Sequence, residues 1–206
     1  MRGAGATVRL AFFGGSFDPP HLGHLAVAEA ATGALALDRV LFAPTASQPL
    51  KPGGAAAPYT DRLAMVRLLC RSNAAFEASE LDAPRPGAAP NYTVDTLETL
   101  RAANPSATLF VILGADAFLD LPRWRNPQRL LQLAEWIVLS RPGFSVAPPA
   151  TAGAIEPSSR VHVLGDLHNP ASATEIRRRL AAGEDCTELV PDSVLQYIRD
   201  HGLYRS

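Results

Sequence analysis

Short apolar runs alternate with helix-like stretches along this 206-residue chain, and that alternation limits the fold more than any other feature of the sequence. Strands that alternate with helices build a mostly parallel sheet with helices on both faces, so we predict an α/β fold. The runs with strand character are Val8–Phe13, Val40–Ala43, Leu109–Leu113, Trp136–Leu139 and, more weakly, Val161–Leu164. The stretches with helix character are His21–Ala36, Asp61–Arg71, Tyr92–Ala103, Pro127–Ala134, Thr174–Ala182 and Ser193–His201.

Two of the strand-like runs, Leu109–Leu113 and Trp136–Leu139, are apolar at nearly every position, which predicts central strands buried on both faces. Three segments rich in proline, glycine or alanine are predicted loops: Pro44–Pro58, Ala83–Pro90 and Pro142–Ser159. The last of these loops precedes a small C-terminal helical segment, about 160–206. A piece of that size buries too little surface to fold alone, so we expect residues 1–206 to form a single domain.

The charge of the chain argues against a nucleic-acid-binding protein. Lys and Arg total 19 and Asp and Glu total 20, which gives a formal net charge of −1. Proteins that bind nucleic acid usually carry a broad basic surface, and this balance does not provide one.

Neither the first apolar run nor the cysteines indicate export or a membrane. Val8–Phe13 is too short for the core of a signal peptide or for a membrane span. Cys70 and Cys186 form no C-x-x-C pair, and we interpret them as reduced structural thiols. We therefore expect a cytoplasmic protein that makes no contact with a membrane.

Eleven residues between the first strand and the first helix carry the strongest functional signal: Gly14-Gly15-Ser16-Phe17-Asp18-Pro19-Pro20-His21-Leu22-Gly23-His24. In open α/β sheets, ligands bind at the carboxyl ends of strands. The two glycines let the backbone approach a bulky anion, and the following helix offers N–H groups and the positive end of its dipole. His21 and His24 share one helix face, where they can donate hydrogen bonds to phosphate. The alternatives are a structural pair or a zinc pair, although no third His or Cys is placed to complete a zinc site.

A second polar cluster, Ser172-Ala173-Thr174-Glu175-Ile176-Arg177, opens a predicted helix far downstream. Ser172 is a good N-cap residue, and Glu175 follows it at the spacing of a capping box. Taken alone, the cluster fits a well-capped helix as well as it fits a functional site, and Arg177 with its two arginine neighbours fits a solvated helix face.

Together the two clusters resemble motifs of the nucleotidyltransferases related to class I aminoacyl-tRNA synthetases. The first fits the signature G-G-[ST]-F-D-P-x-H-x-G-H at all eleven positions, and the second is similar to I-S-x-T-x-I-R, with Ala171 in place of the leading Ile. The resemblance implies a Rossmann-like nucleotidyltransferase fold that binds ATP. It implies that the α- and β-phosphates contact His21 and His24 and that the outer phosphates contact Ser172, Thr174 and Arg177. Further ATP-binding residues implied by the first motif are Gly14, Gly15, Ser16, Phe17 and Asp18.

The rest of the chain is similar to bacterial nicotinate-nucleotide adenylyltransferases nearly end to end. The segments that carry this resemblance are Ala89–Thr93, Leu113–Asp116, Leu121–Trp124, Ser140–Gly143 and Gly202–Arg205. It implies that Tyr92 and Thr93 flank the carboxylate of a pyridine mononucleotide, that Arg141 meets its phosphate, and that Gly114 and Asp116 lie near the ribose or adenine of ATP. Trp124 offers a flat face on which a pyridine ring can stack, with a core tryptophan as the alternative.

Two positions depart from the pattern of that family. The loop after the second strand reads Pro49-Leu50-Lys51 where Pro-Pro-His-Lys is usual, so the His is missing while Lys51 remains to neutralise the triphosphate. Arg125 stands where a Tyr often follows the Trp, and its role stays open between pairing with the substrate carboxylate and facing solvent.

The resemblance implies transfer of AMP from ATP to nicotinate mononucleotide, which gives nicotinate adenine dinucleotide and pyrophosphate in NAD biosynthesis. The attacking phosphate is anionic at neutral pH, so no general base is needed. His21, His24, Lys51 and Arg177 are the predicted catalytic residues, acting by positioning and by stabilising charge. We expect Mg²⁺ to be carried by the phosphates of ATP, with no metal site in the protein.

Two alternatives to this function remain at the level of sequence. One is the same adenylyl transfer to nicotinamide mononucleotide or phosphopantetheine, and the other is a non-catalytic nucleotide sensor. The sequence leaves the oligomeric state open, a homodimer included.

Overall fold

The computed structural model describes residues 7–46, 54–140, 160–165 and 171–205. Its strands are β1 Arg9–Gly15, β2 Arg39–Pro44, β3 Phe76–Ala78, β4 Thr108–Gly114, β5 Glu135–Leu139 and β6 Val161–Leu164. Its helices are α1 Leu22–Leu35, α2 Tyr59–Cys70, α3 Thr93–Ala103, α4 Ala115–Leu119, α5 Pro127–Leu133, α6 Ala173–Ala181 and α7 Asp192–Asp200. Two short 3₁₀ turns, Pro86–Ala88 and Leu121–Arg123, complete the described elements.

Within the described residues, the six strands form one sheet in the order β3-β2-β1-β4-β5-β6. β1 pairs in parallel with β4, β4 with β5 and β5 with β6; in the first of these pairs Leu10 lies opposite Leu109. This strand order is that of the doubly wound Rossmann fold. The predicted α/β class with a Rossmann-like sheet is therefore confirmed.

All five predicted strands and all six predicted helices are present, with ends that differ by at most two residues. The sequence pattern missed β3 and α4. β3 has three residues, of which only Phe76 is buried, and α4 has five, so neither is long enough to display a periodic pattern.

The described residues fall into two compact units that are interleaved along the sequence. The first unit contains the chain up to Phe13, Ala30–Leu41, and the stretch from Tyr92 through β6. The second contains Gly14–Glu29, Phe42–Asn91 and the C-terminal helices α6 and α7. The chain therefore enters each unit three times.

The core of the first unit is built on β4 and β5, whose central residues are buried as their composition predicts. The second unit has a core that we call the C-terminal cluster. Its buried members are Ala57, Met65, Ile176, Cys186, Leu189, Val190, Val194, Leu195 and Ile198.

Cys70 and Cys186 are both buried free thiols. Burial raises the pKa of Cys70 to about 12 and raises that of Cys186 as well, which agrees with a structural role for both. Among the described helices, none combines the length and the apolar composition needed to cross a membrane.

Candidate active site

The glycine-rich motif leaves β1 at its carboxyl end and reaches α1 through a loop in which Phe17 is buried. The Phe17 ring lies 4.8 Å from the ring of His24 and 5.8 Å from that of Phe42, centroid to centroid. A Cβ on Gly15 would lie only 3.3 Å from the Phe17 ring, so glycine makes room for this ring. Gly15 therefore serves the packing of the loop, in addition to the approach of an anion predicted from the sequence.

His21 and His24 lie against each other where α1 begins. Their ring centroids are 3.7 Å apart, and the backbone N–H of His21 donates to Nδ1 of His24 at 3.2 Å. A neutral His24 therefore carries its proton on Nε2. Burial lowers the pKa of His21 to about 4; it also lowers the pKa of His24, and the charge of His21 adds to that effect. Both rings are neutral at pH 7, and His24 offers a hydrogen-bond donor rather than a cation.

His21 carries an unsatisfied polar atom. The residue is buried, and its Nδ1 atom has no hydrogen-bond partner among the described residues. Buried polar atoms are nearly always bonded to protein, water or a ligand. A bound molecule with a complementary group would satisfy this atom.

The start of α1 offers fewer free N–H groups than the sequence predicts. The N–H of Leu22 donates to the carbonyl of Leu189 at 2.9 Å, and the N–H of His24 donates to the carbonyl of His21 at 2.9 Å. An anion at this helix start would therefore depend more on the histidine rings and the preceding loop than on the helix N–H groups.

The second motif meets the first through Arg177. α6 begins after Ser172, whose Oγ accepts a hydrogen bond from the backbone N–H of Glu175 at 3.2 Å, so the predicted N-cap is confirmed. One turn further, Nη1 of Arg177 donates to the carbonyl of Asp18 at 2.7 Å, and Nη2 lies 3.5 Å from Oγ1 of Thr174. Residues 159 positions apart in the sequence are thus in contact.

The two arginines after Arg177 do not share this position. Arg178 donates to Glu175 and Glu184, while Arg179 donates to Glu175 and Glu188. These ion pairs lie at the surface, as expected of a solvated helix face. Of the three consecutive arginines, only Arg177 turns toward the glycine-rich motif.

Asp18 is buried, and its carboxylate accepts hydrogen bonds from three donors. They are the backbone N–H of Ala56 at 2.6 Å, the backbone N–H of Ala57 at 3.0 Å and the hydroxyl of Tyr204 at 2.7 Å. The predicted ATP contact of Asp18 stays a prediction, and the structure gives its side chain a second task in holding the loop.

Predicted nucleotide-binding residues of the first unit follow β4. Gly114 ends the strand with φ −75° and Asp116 lies in the first turn of α4; both residues are exposed. A Cβ on Gly114 would find open space, so the fold itself does not require glycine here. An uncovered backbone at the carboxyl end of a strand suits the approach of a ligand.

Tyr92, Trp124 and Arg125 form an aromatic and cationic group in the first unit. The guanidinium of Arg125 lies over the Tyr92 ring, 4.6 Å from its centroid. Trp124 packs edge-on against the fully buried Trp136, with 6.3 Å between ring centroids. Trp136 is thus the core tryptophan of this unit, whereas Trp124 is half-buried and keeps a surface available for stacking.

Thr93 is the first residue of α3 and is half-buried. The N–H groups of a first helical turn have no partner within the helix. The N–H of Asp95 in this turn donates to the carbonyl of Tyr92 at 3.0 Å, and the contact of Tyr92 and Thr93 with a substrate carboxylate stays a prediction.

Comparison with known sequences identifies the family to which the chain belongs. Residues 12–179 match the family described as cytidylyltransferase-like. A "probable nicotinate-nucleotide adenylyltransferase" of Roseiflexus sp. (strain RS-1) is 45% identical over 197 residues, which are 95% of this chain and 98% of the relative. A protein of the same description from Solibacter usitatus is 44% identical over 96% of this chain and all of the relative. The chain belongs to the cytidylyltransferase-like family, among its nicotinate-nucleotide adenylyltransferases.

A solved structure shows the same fold at low sequence identity. Plasmodium falciparum nicotinic acid mononucleotide adenylyltransferase, complexed with NaAD, superimposes with a TM-score of 0.75. The alignment covers 96% of this chain and 97% of that one at 18% sequence identity.

Sequence reasoning missed Arg62, which is almost completely buried in α2. Its Nη1 donates to the carbonyls of Ser16 at 2.7 Å and Thr45 at 3.0 Å, and its Nε donates to that of Ala57 at 3.1 Å. The sequence does indicate that Arg62 is buried, because Arg62 lies at helical spacing from Met65, Val66 and Leu69 and so shares the apolar face of α2.

Two predicted site residues, Lys51 and Arg141, lie outside the described residues. The altered Pro49-Leu50-Lys51 loop lies outside them as well.

Proposed function

We propose that this chain transfers AMP from ATP to nicotinate mononucleotide, giving nicotinate adenine dinucleotide and pyrophosphate. The observation that carries the proposal is the contact of Arg177 with Asp18, since it joins the two motifs that the family resemblance assigns to ATP. The pyridine substrate is proposed from the activity by which the relatives are named.

In the proposed reaction, a phosphate oxygen of the mononucleotide attacks the α-phosphorus of ATP. The bond from that phosphorus to the oxygen bridging the α- and β-phosphates breaks, and pyrophosphate leaves with the electron pair. Negative charge increases on the pyrophosphate side as this bond breaks. Arg177, which is always charged, would stabilise that charge, while neutral His24 would donate a hydrogen bond from Nε2.

The neutral histidines support positioning rather than acid–base chemistry. Because their pKa values are lowered, both imidazole rings are already neutral at pH 7 and carry no additional proton to donate as a general acid. A mononucleotide phosphate already has the anionic oxygen needed for attack, so the reaction needs no base. Lys51, Ser172 and Thr174 are proposed to hold the outer phosphates with Arg177.

The pyridine ring is proposed to stack on Trp124. The substrate carboxylate would then accept hydrogen bonds from the backbone around Tyr92 and Thr93, and the mononucleotide phosphate would meet Arg141. Because the guanidinium of Arg125 lies over the Tyr92 ring, we propose that Arg125 fixes this ring rather than pairing with the carboxylate.

Mg²⁺ is proposed to arrive as part of the ATP substrate. The side chains around the first motif are mainly hydrogen-bond donors, and the carboxylate of Asp18 already accepts from three protein groups. Within the described residues no three His, Cys, Asp or Glu side chains form a metal-binding group. Side chains that donate hydrogen bonds offer no strong ligand for a cation, so we propose that phosphate oxygens and water coordinate the Mg²⁺. A cytoplasmic location is proposed with this function.

The test is pyrophosphate release from ATP and Mg²⁺ with nicotinate mononucleotide and nicotinamide mononucleotide offered separately. We expect release with the acid and little with the amide. Preference for the amide would overturn the proposed role of Tyr92 and Thr93. Binding of ATP without release for either acceptor would favour phosphopantetheine or a nucleotide sensor instead.

A second arm of the experiment compares His24→Ala with His201→Ala, a change at an exposed histidine. Loss of one aligned donor at a transition state typically lowers kcat about 10²–10³-fold, and we expect such a loss only for His24→Ala. Near wild-type turnover of His24→Ala with ATP still bound would overturn the role given to this histidine.

A further inference from the structure

The side chain of Arg177 lies next to Asp18 but does not form a close salt bridge with the Asp18 carboxylate. Nη1 of Arg177 donates to the backbone carbonyl of Asp18 at 2.7 Å but lies 3.9 Å from the nearer carboxylate oxygen, Oδ2. A guanidinium beside a buried carboxylate ordinarily forms short, charge-assisted hydrogen bonds with it. Some other group must therefore satisfy this carboxylate.

The donors that satisfy it are the backbone N–H groups of Ala56 and Ala57 and the hydroxyl of Tyr204. Of these three donors, Tyr204 is the only side chain. Burial raises the pKa of Tyr204, and its hydrogen bond to Asp18 raises it further. The hydroxyl therefore keeps its proton and donates.

The segment after α7 is folded to bring Tyr204 to this position. Gly202 and Tyr204 both have left-handed backbone, with φ +61° and +59°, and the N–H of Leu203 donates to the carbonyl of Ile198 at 3.0 Å. Left-handed backbone is uncommon for an aromatic residue. Leu203 and Tyr204 pack against the C-terminal cluster, which holds the segment in place.

We propose that Tyr204 is a positioning residue that keeps Arg177 available for the phosphates of ATP. By completing the hydrogen bonding of the Asp18 carboxylate, its hydroxyl leaves Arg177 on the backbone carbonyl, with about a third of the arginine side chain (32%) exposed. Without that hydroxyl, the guanidinium would move onto the carboxylate and its charge would be neutralised there. This inference rests on the proposed function, because it takes ATP as the partner of Arg177.

The test is calorimetric binding of MgATP, without acceptor, to Tyr204→Phe and to the matched control Tyr197→Phe. Tyr197 also packs against the C-terminal cluster and donates its hydroxyl to a carboxylate, that of Asp61 at 2.8 Å. We expect ATP to bind about tenfold more weakly to Tyr204→Phe, the effect of one hydrogen bond to a charged group, and normally to Tyr197→Phe. In turnover assays, KM for ATP should rise while KM for the mononucleotide stays constant.

A double-mutant cycle separates positioning from a general structural effect. In an Arg177→Met background, the further change Tyr204→Phe should alter ATP affinity less than twofold, because the arginine through which Tyr204 affects ATP binding is absent. Normal ATP binding by Tyr204→Phe, or a full tenfold loss in the Arg177→Met background, would overturn the inference. A wild type that binds ATP but releases no pyrophosphate would overturn the proposed function alone.

Discussion

At the scale of single residues, the site combines neutral donors with one arginine that is only partly neutralised. Burial keeps His21 and His24 uncharged, while Arg177 stays charged beside a carboxylate that has other partners. In the proposed reaction the neutral rings would position the phosphates through hydrogen bonds, and the arginine would stabilise the charge that develops on the leaving pyrophosphate.

The lowered pKa of His21 predicts a loss of stability in mild acid. His21 titrates near 6.5 in the unfolded chain and at about 4 in the folded one, so between these values the unfolded state binds more protons. Its contribution to the free energy of unfolding is intact above pH 6.5 and decreases as the pH falls toward 4, and the loss reaches about 2 kcal/mol at pH 5.

Urea unfolding at pH 7 and pH 5 checks this prediction. The decrease in the free energy of unfolding between the two values should be smaller in His21→Gln than in the wild type. The exposed control His201→Gln should retain the wild-type decrease. An equal decrease in His21→Gln and wild type would contradict the buried, neutral state of His21.

Local contacts between residues were predictable from the sequence where one contiguous motif contains both partners. The pairing of His21 with His24 and the N-cap at Ser172 follow from helical spacing. The partners of Asp18 and Arg62 did not follow, because they come from segments distant in sequence and include main-chain groups that no residue pattern reveals.

At the scale of elements, α6 presents Arg177 to the first motif, and its start depends on Ser172. The Ser172 cap satisfies one N–H group, and Glu175 in the first turn complements the helix dipole. The same serine is also proposed as a phosphate ligand, so its two roles need separate tests.

Two substitutions at Ser172 distinguish these roles. Ser172→Ala removes the cap and should lower the free energy of unfolding by about 1 kcal/mol. Ser172→Asp keeps a good N-cap, and we expect near wild-type stability, but it adds a negative charge that would raise KM for ATP. Urea unfolding and ATP titrations measure the two effects. An unchanged KM for ATP in Ser172→Asp would contradict the role of Ser172 at the phosphates.

Elements were predictable in proportion to their length. Strands β4 and β5 are continuous apolar runs and were identified directly, whereas β3 and α4 are too short to display a repeating pattern. The order of the strands in the sheet was not predicted, because an alternation of strands and helices predicts a parallel sheet but is compatible with more than one strand order.

At the scale of the whole molecule, the C-terminal cluster joins α2 to α6 and α7. Met65 of α2 packs in the same buried group as Ile176 and Ile198. Helices that share one core tend to open together.

The change Ile198→Ala tests that cooperation. A buried Ile→Ala change typically lowers the free energy of unfolding by about 2–5 kcal/mol. Hydrogen exchange should become faster in α2 as well as in α7, because both lose a shared core. Leu119→Ala, at an exposed position, serves as the control. Faster exchange confined to α7 would show that the cluster is not one cooperative group.

The interleaving of the two units has a consequence for synthesis on the ribosome. The apolar face of α2 emerges early, but the residues that cover it belong to α6 and α7, more than 100 positions later. Until those helices leave the exit tunnel, Met65 lacks its native partners from α6 and α7, and this face of α2 is open to chaperones and to other nascent chains. A premature stop after β6 would therefore release a chain in which this face of α2 stays uncovered. Such a fragment would be prone to aggregation and would be a substrate for chaperones and proteases rather than a smaller folded protein.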